Sequence, residues 1–572
     1  MKKQTNSQKK EYLAQIYRRN WIPFALSVAA ALLISAVNLI IAWVLQQIID
    51  TISGAGSYSL GTLTLFSVGV VGLICLFKTL TLLTRPRFIR RAMEQYKGYA
   101  FEKLMKKSIA SFSLEPTSRY LSAFSNDLAS IETNYLDNLF NIILNVVLFL
   151  GALGMMLWYS PLLLLVACGF CLLPLGASFL AGKRLEQLER TISEKNEAFL
   201  AVLKDCLSGF SVIKSFQAED AMGRQFTKAS TDVEAEKCRK RKLTSLISIV
   251  SDMAGVTAQL GTFLAGGAMM FAGLPVTVGT LVIFLDLTSY IIMPIRELPA
   301  LLAARRAALG LVDKLASEMA HNVREEGGAT LETVQQGITL SHLTFGYAPE
   351  QPVLHDVTAT FEAGKSYAIV GASGCGKSTL LRLLLASYEN YDGDISIDGR
   401  ELRTLRSGCL YDLVAAVEQN VFLFDATIRE NITMYRPFPK EAVDKAIAQA
   451  GLTALLEQRG EDYRCGEHGS GLSGGEKQRI SIARSLLRHA SVLLADEATA
   501  SLDAETANHV SDSILGLTGM TRIVVTHTLD ESLLRRYDGI LVMKDGRIVE
   551  SGTFDDLMAA RQYLYALYTI SH

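Results

Sequence analysis

The sequence predicts an α-helical transmembrane domain of six spans followed by an α/β domain, and three observations carry that reading. Six long, almost uncharged apolar stretches fill the first 300 residues. Lysine and arginine are concentrated in alternate connections between those stretches. From about Ile338 onward, short β-rich runs alternate with helical ones around a glycine-rich turn, "GASGCGKST".

The spans come first. The chain has 572 residues, 49% of them hydrophobic, and a mean hydropathy of +0.25. Trp21 to Ile49 carries no charge, Gly61 to Thr84 only Lys78, and Asn138 to Trp158 and Pro161 to Gly182 none. Leu243 to Phe271 holds only Asp252, and Val276 to Ile295 only Asp286. Each reaches the ~20 residues that cross a bilayer as a helix. A buried core helix of a soluble protein accounts for one such stretch, not for six.

The connections set the orientation. Six Lys/Arg precede Trp21, nine lie in 85–137 and thirteen in 183–242, whereas 51–60, 159–160 and 272–275 hold none. Basic residues stay on the cytoplasmic side, so both termini, both long loops and the α/β domain are expected in the cytoplasm. The expectation is a multi-pass integral protein of the plasma membrane, with the compact chain suggesting a bacterial inner membrane. The first stretch, 29 uncharged residues behind a basic lead, is too long for a cleaved signal core. A net charge of −1 gives no reason to expect a nucleic-acid surface. The eight cysteines are scattered without CxxC pairs, and they support neither a metal site nor a disulfide framework.

After Ile295, "RELPALLAARRAALGLVDKLASEM" keeps apolar residues at helical spacing and continues the sixth helix into the cytosol. "HNVREEGGATLETVQQG" is polar and glycine-containing. The division is therefore 1–320 for the membrane domain, 321–337 for a linker and 338–572 for the α/β domain. "SYAIVG", "SVLLAD", "TRIVVTH" and "GILVMKDGRIVESG" read as strands separated by helices, the pattern of a largely parallel sheet. The two basic loops are long enough to extend the membrane helices into the cytoplasm. Segments 115–132 and 207–226 each offer a short helix at a turn, placed to dock on the α/β domain.

"GASGCGKST" (371–379) fits G-x-x-x-x-G-K-[ST] between an apolar strand and a helix, which is the context that motif needs. It makes the second domain a P-loop nucleotide-binding domain. Gly371, Gly374 and Gly376 let the backbone wrap phosphates without Cβ clashes, with Ser373 and Cys375 between them and Thr379 opening the helix. Lys377 is expected on the β- and γ-phosphates, and the Ser378 hydroxyl on Mg²⁺. At the end of "SVLLADEATA", Asp496 fits the carboxylate that holds Mg²⁺. Glu497 follows it, placed to polarise a water attacking the γ-phosphate. ATP and Mg²⁺ are the cofactors expected.

With these residues in place, the whole chain resembles an ATP-binding-cassette (ABC) half-transporter of the exporter-type (type IV) fold. Tyr347 in "LTFGYAPE" resembles the aromatic that stacks on adenine. Gln419 in "AAVEQNVFLFDATIRENI" resembles the glutamine that senses the γ-phosphate and its metal. "LSGGE", Leu472, Ser473, Gly474, Gly475 and Glu476, resembles the ABC signature. Asp503 in "ASLD" resembles the loop residue that crosses a dimer interface, and His527 in "VVTHTLD" the switch histidine. Glu467 sits where exporter-type members carry an acidic loop. The resemblance implies an ATP hydrolase coupled to transport, with Glu497, His527 and Gln419 as the catalytic set. It also implies a second half-transporter, because in the family the signature of one chain caps ATP held by the P-loop of the other. With the catalytic and signature motifs intact, a homodimer is favoured and a heterodimer stays open.

The cargo is less legible. Asp286 lies about ten residues into its span, ~15 Å deep, and an ionisable group there is a candidate for the substrate pathway. Asn141, Asn145 and Gln259 are its candidate structural partners, Phe284 and Tyr290 line a cavity or, more commonly for such residues, pack toward lipid, and Asp252 reads as interfacial or structural. The expected function is ATP-driven export of an amphipathic solute (drug, lipid or peptide) by alternating access, among membrane lipids. The alternative is import of a metal-siderophore or similar metal-bearing solute on the same fold.

Overall fold

The computed structural model describes residues 2–113, 117–319, 328–348, 351–488, 490–499, 502 and 504–571. They fall into two compact units: Met1–Glu102 with Ser118–Ala320, and Lys103–Thr117 with His321–His572.

The helices run α1 (Lys2–Tyr17), α2 (Trp21–Ile52), α3 (Leu60–Met105), α4 (Ile109–Ser113), α5 (Thr117–Ser122), α6 (Leu128–Ile131), α7 (Asn138–Tyr159), α8 (Pro161–Ser208), α9 (Phe210–Ser215), α10 (Glu219–Phe271) and α11 (Val278–Met319). Among the described residues, five helical runs are long and apolar enough to cross a membrane: Trp21–Ile52, Leu60–Met105, Arg119–Tyr159, Glu219–Phe271 and Val278–Ser317. The sixth expected span opens α8 as the apolar helix Pro161–Phe170, and the side chains of 171–183 lie outside the described residues. Local sequence fixes its start, with Pro161 in the first turn and Ser160 Oγ accepting from Leu163 N–H at 3.3 Å. α8 and α10 have 48 and 53 residues. At ~1.5 Å per residue they run ~70–80 Å, more than twice a ~30 Å hydrocarbon core, so most of 183–242 is helix continuous with the apolar stretches on either side.

Apolar side chains from α2, α7, α8 and α11 build the core of the first unit, with Ala42, Ala152, Met156, Leu163, Phe284 and Leu287 among its buried members. Phe284 therefore lines neither cavity nor lipid. At one end of this bundle sits a buried carboxylate. Asp50, 4% exposed, accepts from Gln46 Nε2 at 2.5 Å and from the backbone N–H of Gly279 at 2.9 Å. Tyr159 OH in turn donates to Gln46 Oε1 at 2.9 Å. These bonds tie α2, α7 and the first turn of α11 together. A helix N-terminus is a favourable place for an anion, which offsets part of the cost of burying this one. Gly279 is required by the close approach, since a Cβ there would lie 2.5 Å from Asp50 Oδ1.

The first short helix between the long ones lies earlier than expected. It is α4, capped by buried Ser108, whose Oγ accepts from Ser111 N–H at 3.2 Å. Residues 115 and 116 of the expected segment fall outside the described residues. From Thr117 the chain is helical through two wide π turns, Ala123–Asp127 and Glu132–Asp137, into α7. The second short helix, α9, does fall within 207–226, starting after Gly209.

In the second unit the strands are β1 (Gly337–Ala348), β2 (Gln351–Glu362), β3 (Ser366–Gly371), β4 (Asp392–Ile397), β5 (Arg400–Glu401), β6 (Val414–Val417), β7 (Val492–Asp496), β8 (Thr521–Val525), β9 (Gly539–Lys544) and β10 (Arg547–Gly552). One sheet has the order β10-β9-β3-β8-β7-β6, parallel except for β10 at its edge. The expected runs are β3, β7, β8 and the β9/β10 hairpin. A second, antiparallel sheet, β2-β1-β4-β5, was not foreseen. Its first strand is anchored by Asp398, whose carboxylate accepts from the backbone N–H groups of Gln335, Gln336 and Gly337 at 2.7–2.9 Å. In this unit Ile109 N–H also donates to Tyr411 OH at 3.0 Å, placing α4 among the cassette's own contacts.

Two predictions follow from these anchors. Gly279→Ala should cost about 1–3 kcal/mol through the forced displacement of Asp50. It would appear as a lower unfolding midpoint of the full chain in detergent, and an unchanged midpoint would show that the Asp50 contact yields freely. Partial burial pushes the Asp398 carboxyl up, but its three backbone donors outweigh this and hold it below the usual carboxylate range. Its contribution is therefore present above pH ~4 and lost as pH falls through the lower folded value. Asp398→Ala should cost about 1–2 kcal/mol near neutrality and narrow its gap to wild type as the pH drops toward 2–3; a gap independent of pH would overturn the assignment.

Candidate functional site

Strand register brings the site together. Ile369 pairs with Val525 across β3 and β8, and Asp496 pairs with Val525 across β7 and β8. The three strands therefore end level, and the turns that follow them meet at one sheet edge. Ligands of parallel sheets bind outside the carboxyl ends of the strands.

After β3 the chain wraps through Gly371, Gly374 and Gly376 at φ 156°, 80° and 103°, then enters the helix Lys377–Leu384. Gly371 and Gly376 are also crowded, their would-be Cβ atoms lying 2.3 Å from Met543 O and 2.7 Å from Leu354 Cδ2. Lys377 is buried, and its ammonium donates to the carbonyls of Gly371 and Ala372 at 3.0 and 2.9 Å. Cys375 Sγ lies 3.8 Å from the same Nζ, buried under the loop. The loop is a ring of backbone and one cation, chemistry suited to a polyphosphate.

Ser378 Oγ donates to Asp496 Oδ1 at 3.0 Å. Burial raises the Asp496 carboxyl above its usual range, and the Ser378 bond only partly offsets this. A hydroxyl and a carboxylate so placed are hard oxygen donors of the kind Mg²⁺ prefers, and a cation there would relieve the buried charge. The donor set fits the metal.

One residue on, Glu497 adopts φ 49°, an uncommon conformation for a side-chain-bearing residue. Its N–H donates to Val525 O at 3.1 Å, which holds the turn against β8. Both carboxylate oxygens are engaged. Gln419 Nε2 donates to Oε2 at 2.8 Å, and His527 Nε2 lies 2.7 Å from Oε1. A carboxylate oriented from two sides and largely shielded can take a proton from a water aimed at a phosphoryl group. Gln478 was not singled out from the sequence. It is buried on the helix Gly474–Leu487 and donates to Glu497 O at 3.4 Å. Its signal was a polar residue on the apolar face of that helix, next to Ile480 and Ile482.

Tyr347 is 52% exposed, with its OH 2.9 Å from Thr379 Oγ1 and its ring edge-on to Phe345 and Tyr388. It thus presents an open aromatic beside the phosphate loop; Tyr388, its neighbour, was not anticipated. The signature segment is a second helix N-terminus. Ser473 caps the helix Gly474–Leu487, accepting from Glu476 N–H at 3.3 Å, while its own N–H donates to Glu476 Oε2 at 2.7 Å. Leu472 packs into the core, and Arg459 and Tyr463 both donate to Gly471 O. Glu467 is exposed just ahead of the signature. Asp503 and its neighbour Ser501 lie outside the described residues.

In the helical unit, two of the candidate partners of Asp286, Asn145 and Gln259, bond elsewhere. Asn145 donates to Asn141 O and, at 3.4 Å, to Glu297, while Gln259 donates to Ser289 Oγ at 2.8 Å. Asp252 pairs with Arg296 at 2.7 Å, which agrees with a structural role. Asp286 itself is half-buried on α11, beside Tyr290 one turn on.

Comparison with known proteins places the chain in a family. Residues 24–295 match the family model described as ABC transporter transmembrane region, and residues 354–500 the model described as ABC transporter. The chain is 30% identical over 469 residues to the uncharacterized ABC transporter ATP-binding protein YwjA of Bacillus subtilis (strain 168), covering 80% of this chain and 81% of that one. It is 29% identical over 475 residues to the ATP-dependent lipid A-core flippase of Sodalis glossinidius (strain morsitans), covering 82% and 81%. Its fold is similar to a solved bacterial Atm1-family ABC exporter with ATP bound, with a TM-score of 0.84, 24% identity, and 97% and 98% coverage.

Proposed function

The chain belongs to the ABC transporter family, an ATP-hydrolysing integral membrane transporter, and from that premise we propose that it exports an amphipathic solute as a homodimer of half-transporters. The observation that carries the chemistry is Glu497, held between Gln419 and His527 one residue beyond the Asp496–Ser378 pair.

On this reading Tyr347 stacks on the adenine. The loop from Gly371 to Thr379, Ser373 and Cys375 included, cradles the phosphates, and Lys377 swings from its two carbonyls to the β- and γ-phosphates. Ser378, Asp496 and Gln419 are the residues that would hold Mg²⁺, which would supply charge neutralisation for the phosphates. Glu497 accepts the proton of the attacking water, and His527, on its other oxygen, contacts the γ-phosphate. The signature, Leu472 to Glu476, offers a helix N-terminus to the nucleotide of the partner chain, with Asp503 at the shared interface. ATP then bridges two cassettes, and its hydrolysis removes the bridge. Each chain carries one such set, with catalytic and signature motifs intact, which favours two identical chains over a pair with one degenerate site.

Direction and cargo rest on separate grounds. The flippase relative favours export and an amphipathic cargo over siderophore import. The basic loops favour a cytoplasmic cassette in a bacterial inner membrane. Asp286 supports a pathway that tolerates or selects cationic groups, because a carboxylate at that depth is costly unless a cavity or a cargo solvates it.

Transport into inside-out vesicles tests the proposal. ATP should drive accumulation of a lipophilic cation or lipid probe, and ATP-driven release of a preloaded compound would overturn export. Glu497→Gln should bind ATP yet hydrolyse it at least about 100-fold more slowly, the scale of a lost general base; near-wild-type turnover would remove Glu497 from that role. Asp286→Asn should change the ranking of stimulating substrates while leaving basal hydrolysis within about two-fold, and an unchanged ranking would assign Asp286 to packing.

A further inference from the structure

We infer that the helix Gly474–Leu487 of each chain aligns that chain's own catalytic carboxylate, with Gln478 as the positioning residue, so that one helix serves both nucleotide sites of a dimer. The inference rests on the reading above, in which the N-terminus of this helix meets the nucleotide of a second chain and Glu497 is the general base.

The helix is a stiff element with one exposed end. The capping box of Ser473 and Glu476 fixes its start, and Ser473 and Gly474 are exposed. Its apolar face, with Ile480, Ala483 and Leu487, belongs to the same core as Val417 of β6 and Leu493 and Ala495 of β7. Gln478 lies five residues after the cap, ~7.5 Å along the axis. It is 2% exposed, and an amide so buried is costly unless it bonds. Its Nε2 donates to the carbonyl of Glu497 at 3.4 Å.

That carbonyl helps to decide where Glu497 points. The residue sits at φ 49°, a conformation that persists in a side-chain-bearing residue only when its surroundings impose it. Its N–H is held by Val525 O at 3.1 Å, and Gln478 holds the opposite side. With the carbonyl released, the following peptide can turn and the strained φ relax, which re-aims the carboxylate relative to Gln419 and His527. A misplacement of ~1 Å at a reacting group costs up to about 100-fold in rate.

The same helix also backs the Gln419 side. Ser485 Oγ lies 3.2 Å from Ala416 O of β6 and 3.1 Å from Ser481 O, so its proton is shared between the strand and its own helix. Arg484 Nε donates to Asn431 O at 2.9 Å, and the Asn431 side chain makes two bonds to the Phe424 backbone, at 2.9 and 3.0 Å, in the loop that follows Gln419. Glu497 and its Gln419 partner are thus both referenced to one helix. A nucleotide drawn onto the exposed end moves that helix as a unit, so occupancy of the site it caps is felt at the carboxylate of the other site.

The test follows ATP hydrolysis by the purified full chain in nanodiscs across ATP concentrations, with the unfolding midpoint measured on the same samples. Gln478→Met keeps the length of the side chain and removes the donor. It should lower kcat about 5- to 20-fold while KM for ATP stays within about two-fold, the signature of lost alignment rather than lost binding. Ser481→Ala, a buried change on the same helix, should keep kcat within about two-fold. Wild-type kcat in Gln478→Met, or an equal loss in Ser481→Ala, would overturn the positioning role. Ser473→Ala weakens the exposed end and tests the link between sites. Combined with Gln478→Met, its loss should be less than the product of the two single losses, as for residues acting along one path; losses that multiply would overturn the link. Ser473→Ala without effect alone would count against the signature reading, and undiminished turnover in Glu497→Gln against the general-base reading, while kcat of Gln478→Met would still decide whether Gln478 matters to the reaction.

Discussion

The parallel pairing of β3, β8 and β7 is the constraint on which the rest of the cassette depends. Because Ile369, Val525 and Asp496 are level across the sheet, the phosphate loop, the Asp496–Glu497 turn and the His527 turn leave the sheet at the same height. A one-residue slip of β7 would turn every buried side chain of that strand to the other face. It would also carry Asp496 away from Ser378 and Glu497 away from His527. The apolar burial of these strands therefore positions the chemistry, and the positive φ of Glu497 marks where the chain bends sharply to present a carboxylate rather than continue the strand. Backbone strain at a catalytic turn persists only when its surroundings fix it. Here the bond from Glu497 N–H to Val525 O, with Gln478 on the carbonyl side, does so.

Much of this was legible in the sequence because each nucleotide motif is local. A strand, a glycine turn and a helix are contiguous in "SYAIVGASGCGKST", and an apolar run followed by Asp-Glu is contiguous in "SVLLADEATA". The antiparallel sheet was not legible. Its strands alternate buried and exposed positions only loosely, and repeated register shifts between β1 and β2 break the period of two. Gln478 was missed because its importance depends on a contact across the fold, to Glu497 O, which no local pattern encodes. The short helix α4 was displaced for another reason. Its signal is a single serine cap at Ser108, which carries less weight in a sequence than the longer amphipathic run after Thr117.

The membrane-spanning half shows how the same residue type meets three fates. Asp252 finds Arg296 across α10 and α11, an exposed pair of small energetic weight. Asp50 is buried, and it is satisfied by an amide side chain and a helix N-terminus rather than by a cation. It thus spends its charge on holding three helices at one end of the bundle. Asp286 is placed at mid-span, and Asn145 and Gln259, two of the polar neighbours that sequence offered to it, bond elsewhere. Spacing along the chain could identify all three as costly, since each interrupts or ends an apolar run. It could not say which had been satisfied, because Arg296 lies 44 residues from Asp252 and Gly279 lies 229 from Asp50.

Chain connectivity supplies the mechanical link between the two halves. The chain passes between the units three times, at 102/103, 117/118 and 320/321, because Lys103–Thr117 groups with the cassette although it lies within the helical half of the sequence. Any displacement of the cassette must therefore act on α3, on the helix that leads into α7 and on α11 through covalent bonds. These helices are poor shock absorbers: α3 and α11 are continuous over 46 and 42 residues, and a continuous helix transmits axial and lateral force along its length. The prolines Pro86, Pro294 and Pro299 are the positions within them where a missing backbone hydrogen bond makes bending easiest. A force applied to the cassette would thus enter the helical unit through a few stiff rods whose weak points are set by sequence.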